Sequence, residues 1–150
     1  MSADTVDIRR AQPEDANDVA RLALLLWPEH TLTDLAEEMA AVISDQEAAV
    51  FLLLRDAVPV GFAQCQLRHD YVEGAQTSPV GYLEGLFVRE EDRHRGYGRQ
   101  LTAACEAWAG AMGCAELASD CGLDNTQSQS FHLAAGFQEA GRIICFVKTL

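Results

Sequence analysis

The chain has 150 residues, 49% of them hydrophobic, which is enough to bury one core and too apolar for an intrinsically disordered segment. Lys and Arg number 11 against 23 Asp and Glu, a net charge of −12. That balance excludes a protein that grips nucleic acid through its phosphates or a basic binder of membrane surfaces, and it permits a cationic partner.

In chain order, Val6–Arg10 alternates like a short strand. Pro13 opens a helix, with acids Glu14, Asp15 and Asp18 near its positive end. Val19, Ala20, Ala23 and Leu26 share a face, and Trp27-Pro28 ends the helix, because a residue before proline avoids helical geometry. Thr31 or Thr33 caps a second helix through Ile43, with Leu35 and Met39 inward. Ala48–Leu54 and Val60–His69 form a hairpin about the Asp56–Pro59 turn. A polar loop, Asp70–Pro79, leads to a central strand, Gly81–Val88. After the charged loop Arg89–Gly98, a helix runs from Arg99 to Met112 with Gly113 as its cap. Glu116–Cys121 is a strand and Asn125–Ala135 a short helix closed by Gly136. Phe137–Ala140 and Ile143–Leu150 are expected as the last strands. The fold class is therefore α/β with a mixed sheet, in one domain over residues 1–150.

The start of the chain lacks the pattern of a secretory signal, and the apolar runs Leu22–Trp27 and Ala48–Leu54 are far shorter than the roughly 20 residues of a spanning helix. The five cysteines (Cys65, Cys105, Cys114, Cys121 and Cys145) are odd in number and form no CxxC pair. They read as reduced, buried thiols of a cytoplasmic protein, with neither a disulfide framework nor a metal site expected.

The loop between the central strand and the following helix carries the strongest chemical signal. Arg89, Arg93, Arg95 and Arg99 place four of the chain's 11 basic residues within eleven positions. Glycines allow close backbone approach, and a helix N-terminus presents unpaired N–H groups and partial positive charge. A phosphate-bearing ligand fits. A P-loop requires GxxxxGK(S/T) and its lysine is missing; a GxGxxG fingerprint fails because Leu101 stands at the third glycine. The pattern that matches is (Gln/Arg)-x-x-Gly-x-(Gly/Ala), here Arg93-His94-Arg95-Gly96-Tyr97-Gly98.

This pattern, placed between a strand and an amphipathic helix, resembles the pyrophosphate-binding loop of the GNAT N-acetyltransferases. Gly85-Leu86-Phe87-Val88 is similar to the family's bulged strand, and Ala134-Ala135-Gly136-Phe137 to its helix-to-strand ending. The resemblance implies acetyl-CoA as cosubstrate. Its binding falls to Leu86, Phe87 and Val88, to Arg93, Arg95, Gly96, Tyr97, Gly98 and Arg99, and to Asn125. A bulge is expected at Gly85. Where many members carry a tyrosine acid five residues before the last phenylalanine, this chain has His132, whose pKa range suits either acid–base work or a plain packing role.

A second set of segments runs in order through the chain: Leu26-Trp27-Pro28-Glu29-His30, Arg68-His69-Asp70-Tyr71-Val72, Leu83-Glu84-Gly85, Ala118-Ser119-Asp120 and Asn125-Thr126-Gln127-Ser128-Gln129. Together they resemble the aminoglycoside 6'-N-acetyltransferases, from Ile8 onward. The resemblance implies drug contacts at Trp27, His30, Tyr71, Glu84 and Asp120, with Glu84 and Asp120 as catalytic carboxylates, and a homodimer. The residue chemistry agrees. No Lys or Arg lies between Arg21 and Arg55, while six acids do: Glu29, Asp34, Glu37, Glu38, Asp45 and Glu47. Trp27 and Tyr71 offer flat faces for a sugar. Glu84 is costly in an apolar strand unless it is paired or faces a cleft. Gly141 stands where relatives carry a late glutamate. Two alternatives stay open, a GNAT enzyme for another amine (polyamine, amino acid or protein N-terminus) and a non-catalytic acyl-CoA sensor. The apolar Ile143–Leu150 strand is suited to pairing or exchange between subunits.

Overall fold

The computed structural model describes residues 4–150. Its elements are β1 (Val6–Arg10), a 3-10 turn (Pro13–Asp15), α1 (Ala16–Leu26), α2 (Leu32–Ser44), β2 (Ala48–Arg55), β3 (Val58–Arg68), β4 (Val80–Val88), a 3-10 turn (Glu90–Asp92), α3 (Tyr97–Ala111), β5 (Leu117–Ser119) and α4 (Thr126–Ala134). The strands form one sheet in the order β1-β2-β3-β4-β5. All neighbours are antiparallel except β4 and β5, which run parallel.

The two faces of the sheet are covered by different helices, which explains why β2 reads as an unbroken apolar run. Leu53, Ala63, Cys65 and Val88 pack against Leu101, Cys105 and Trp108 of α3. Their neighbours Leu52 and Phe62 point the other way, against Val19 and Ala23 of α1 and Leu35 and Met39 of α2. The two-residue period of a strand sends alternate side chains into the two cores. Local signals behave as the sequence predicts. Trp27 is the C-cap of α1, and the Thr31 hydroxyl accepts from the Asp34 N–H at 3.1 Å, making Thr31 the cap of α2.

Two register irregularities matter. Gln64 pairs with Gly85 but Cys65 pairs with Leu83, so Glu84 is the extra residue of a bulge in β4. The bulge thus lies one position before the expected Gly85. The parallel pairing of β4 with β5 covers only Gly81–Leu83 against Leu117–Ser119. Beyond Leu83, β4 has no partner on that side among the described residues, and the two strands part.

Three expectations need correction. Phe137–Ala140 and Ile143–Leu150 form neither strand, and α3 starts at Tyr97 instead of Arg99. Ile144, Phe146 and Val147 are 75%, 91% and 99% exposed. They belong to a continuous apolar run, and among the described residues it pairs with no strand edge. The cysteines also divide. Cys65 and Cys105 are buried, Cys114 is half-buried, and Cys121 and Cys145 are exposed. A hydrogen bond with the neighbouring Cys65, followed by burial, pushes the Cys105 thiol up, so it stays protonated. Among the described residues, no helix is long and apolar enough to cross a membrane.

Asp15 anchors the start of α1. Its carboxylate accepts from Arg9 Nη1 at 2.6 Å, Arg9 Nη2 at 2.9 Å and the Gln12 N–H at 2.8 Å. The Arg9 bonds hold its pKa below the ordinary carboxylate value. A carboxyl depressed on folding contributes stability that is complete above the unfolded pKa of about 3.9 and is lost as pH falls through the lower native value. Asp15→Asn is therefore expected to cost roughly 2–4 kcal/mol at pH 7. In denaturant titrations at a series of pH values, the gap from wild type narrows below pH of about 4.

Candidate active site

The parting of β4 and β5 generates the site. Past Leu83, the backbone of β4 retains only its β3 neighbour, leaving N–H and C=O groups on the β5 side for another partner. Leu86, Phe87 and Val88 lie on this stretch. At its end the chain turns through Glu90–Asp92 and enters α3, with Gly96 as N-cap in the left-handed region, φ 82°. A Cβ placed on Gly96 would meet nothing within 4 Å, so the N-terminus of α3 faces open space. Gly98 is different. A Cβ there would stand 3.0 Å from Phe131 of α4, so its missing side chain lets α4 pack against the first turn of α3.

The arginines around this turn are already engaged. Arg93 Nε donates to the Val88 carbonyl at 2.8 Å and Arg99 Nη2 to the Ala134 carbonyl at 2.7 Å. Arg95 lies 3.5 Å from Asp4. Arg89 pairs with the buried Asp92 at 3.0 Å, and Asp92 also takes Arg55 at 3.0 Å. Arg93 and Arg99 keep their charge beside neutral carbonyls, and the N–H groups and dipole at the start of α3 add to it. His94 has φ 64°, a left-handed conformation that costs a non-glycine residue free energy and that ordinary loops avoid.

Tyr71 and Asp120 line a groove of about 1100 Å³, together with Arg68, Tyr82 and His132. One wall is the irregular segment from Phe137 to Cys145. Gly74 makes that wall fit, since a Cβ on it would lie 2.3 Å from the Ala140 Cβ. Glu84 reaches the same cluster through Arg68, whose Nε and Nη2 donate to its two oxygens at 3.1 and 2.9 Å. The Tyr82 hydroxyl donates to Asp120. Burial, followed by that bond to a carboxylate, pushes the Tyr82 pKa well up, so its hydroxyl remains a donor. Tyr71 is 82% exposed and donates to Glu73 at 2.6 Å.

The remaining candidates are distributed around this cluster. Trp27 does not line the groove; its ring lies on Gly85 and edge-on to Phe62 at 6.2 Å. His30 is exposed beside Glu29, 3.5 Å away. The six acids from Glu29 to Glu47 are all exposed. Asn125 caps α4, accepting from the Ser128 N–H at 3.1 Å through Oδ1. His132 is held at both nitrogens. Nδ1 is 2.7 Å from the Ser128 carbonyl and Nε2 2.8 Å from the Ser119 hydroxyl. A carbonyl only accepts, so Nδ1 carries a proton. Arg68 and Tyr82 are the residues that sequence reasoning left without a role. Arg68 was visible inside the Arg68–Val72 segment, but its contact with Glu84 depends on the bulge.

A sheet that opens beside a helix N-terminus, with carboxylates at the fork, defines an acyl-CoA-dependent N-acetyltransferase architecture. The chain belongs to the acetyltransferase (GNAT) family, whose sequence profile matches residues 16–137. Within that family it is 45% identical over 147 residues to an aminoglycoside N(6')-acetyltransferase type 1 of Stenotrophomonas maltophilia, covering 97% of this chain and 95% of the relative. The corresponding protein of Salmonella typhimurium is 38% identical over 143 residues, covering 95% and 99%. The solved structure of AAC(6')-Iy in complex with CoA superposes with a TM-score of 0.96 at 37% identity, over 99% of this chain and 98% of that one. AAC(6')-Iy in complex with a bisubstrate analogue of CoA and acetylneamine gives 0.93 at 38% identity, over 97% and 99%.

Gly85 ties the fork to Trp27. A Cβ at Gly85 would stand 2.8 Å from Trp27 Cη2 and 3.1 Å from Cζ2. Gly85→Ala is therefore expected to displace the indole and destabilise the fold by about 1–3 kcal/mol. Denaturant unfolding and a shifted tryptophan emission measure the two effects.

Proposed function

We propose that the chain transfers the acetyl group of acetyl-CoA to the 6'-amine of aminoglycosides, and so confers resistance to them. One observation carries the substrate side. Glu84 and Asp120 are gathered at the fork of β4 and β5 with a single guanidinium between them, leaving one negative charge for an incoming ammonium. The likeness to aminoglycoside N(6')-acetyltransferases over nearly the whole chain supports the choice of cation. The open N-terminus of α3, with Gly96 unobstructed, suits the pyrophosphate of CoA, and the free edge of β4 at Leu86–Val88 suits its pantetheine arm.

In this reading the 6'-ammonium is held by Asp120 and Glu84, with Tyr71, Trp27 and His30 around the sugar. A carboxylate, directly or through water, accepts one proton. The free amine attacks the thioester carbonyl, forming the C–N bond. A backbone N–H of Leu86–Val88 stabilises the oxygen as charge develops. The C–S bond breaks, and the CoA thiolate takes up a proton. Positioning two bound substrates supplies much of the rate, consistent with direct transfer in a ternary complex.

Release of CoA thiol over an aminoglycoside panel tests the reading. Compounds with a 6'-amine are turned over and those with a 6'-hydroxyl are not. Equal or better turnover of spermidine or peptide amines selects another acceptor. Asp120→Ala abolishes transfer while CoA binding survives; unchanged behaviour points to an acyl-CoA sensor.

The same proposal includes a cytoplasmic homodimer. The exposed thiols of Cys121 and Cys145 favour a reducing compartment. The outward apolar side chains Ile143, Ile144, Phe146 and Val147 favour burial against a second copy. Sedimentation is expected to give a dimer, and replacing Phe146 and Val147 with Ser to shift it to monomer.

A further inference from the structure

We propose that Arg68 and Tyr82 form one positioning unit that fixes Glu84 and Asp120 relative to each other. The inference rests on the reading of those two carboxylates given above. Arg68 is the last residue of β3 and pairs in register with Val80, while Tyr82 and Glu84 lie on β4 and Asp120 follows β5. The Arg68 guanidinium forks onto both Glu84 oxygens, at 3.1 and 2.9 Å. Its carbon lies 3.4 Å from the centre of the Tyr82 ring. The ring is buried, and its hydroxyl donates to Asp120. Carboxylate, guanidinium, arene and carboxylate thus form one continuous stack across the fork.

Each acid needs such support for its own reason. Glu84 sits on a bulge, where the ladder no longer dictates the direction of the side chain. Asp120 is exposed and lies just beyond the end of β5, where no regular element holds it. Tyr82, anchored in β4, extends a hydroxyl to it across the opening. Only a planar guanidinium can grip a carboxylate with two parallel bonds while lying flat on an aromatic face; an ammonium does one or the other. Arg68 and Tyr82 line the groove with Asp120 and stand apart in sequence from Leu86–Val88 and the start of α3, so the unit is expected to act through the acids on the acceptor.

The test uses steady-state thiol release with a 6'-amino aminoglycoside, on wild type, Arg68→Met, Arg68→Lys, Tyr82→Phe and the Arg68→Met/Tyr82→Phe double variant. Each single change is expected to lower kcat at least about tenfold, as loosened reacting geometry does, with the KM for acetyl-CoA unchanged. Arg68→Lys is expected to be as poor as Arg68→Met, and the double variant no worse than about the poorer single one. Recovery of wild-type kcat by Arg68→Lys overturns the proposal, because charge alone then suffices. Losses that multiply in the double variant overturn it too, because the residues then act separately. If the Arg68 variants do not fold, Tyr82→Phe, which keeps the ring, decides by the same kcat and KM criteria. A crystal structure of Tyr82→Phe gives a readout that needs no turnover. Asp120 is expected to leave its wild-type orientation while Glu84 stays on Arg68, and an unmoved Asp120 overturns the unit. Wild type inactive on every 6'-amine would instead refute the substrate reading, with that crystal structure still deciding the positioning unit.

Discussion

Backbone hydrogen bonding is the constraint on which the rest of this structure depends. A strand inside a sheet must satisfy its N–H and C=O groups on both sides. β4 does so as far as Leu83, where β5 leaves it. From Glu84 to Val88 one side of a largely buried strand is bare, and such an edge calls for a partner from outside the sheet. The bulge falls at the same point, and its extra residue is Glu84, which Arg68 grips. The candidate site therefore lies where pairing stops.

Electrostatics then divides the opening. The chain is strongly acidic, and its acids on α2 and in the loops are exposed. The arginines near α3 do not form a free basic patch, because Arg89, Arg93, Arg95 and Arg99 are each tied to protein groups. Arg93 and Arg99 brace carbonyls at the ends of β4 and α4, and Arg89 braces the buried Asp92. The field at the turn combines the N–H groups of the α3 start with Arg93 and Arg99, whose carbonyl partners fix them in place without cancelling their charge. This arrangement lets an acidic protein present an attractive face to a polyanion without a large local excess of cations.

Much of this was legible in the sequence, for local reasons. An apolar run located β2 and the turn after it β3, Pro28 ended α1, Thr31 was one of two expected caps of α2, and the glycine-containing loop led to α3, which begins two residues earlier than expected. These signals belong to single segments. The failures were non-local. Phe137–Ala140 and Ile143–Leu150 have strand-like sequences, but a strand exists only beside another edge, and no periodicity states whether one is available. Glu84 was recognisable as an expensive charge, yet its partner Arg68 lies 16 residues earlier and reaches it only across a shifted register. Trp27 was placed at a helix end, but nothing in its neighbourhood foretold that its ring would lie on Gly85.

The irregular wall from Phe137 to Cys145 gives the molecule an asymmetry in mutability. The turn into α3 is bound to the core between the sheet and α3 through Val88, Tyr97 and Leu101, so changes there threaten the packing of that face. The wall across the groove is exposed from Gln138 onward and contributes no residue to either main core. Substitutions in such a segment carry small stability penalties. Apart from the apolar residues proposed to meet a second copy, one side of the groove can therefore be rewritten by successive mutations at little cost in stability while the other stays fixed.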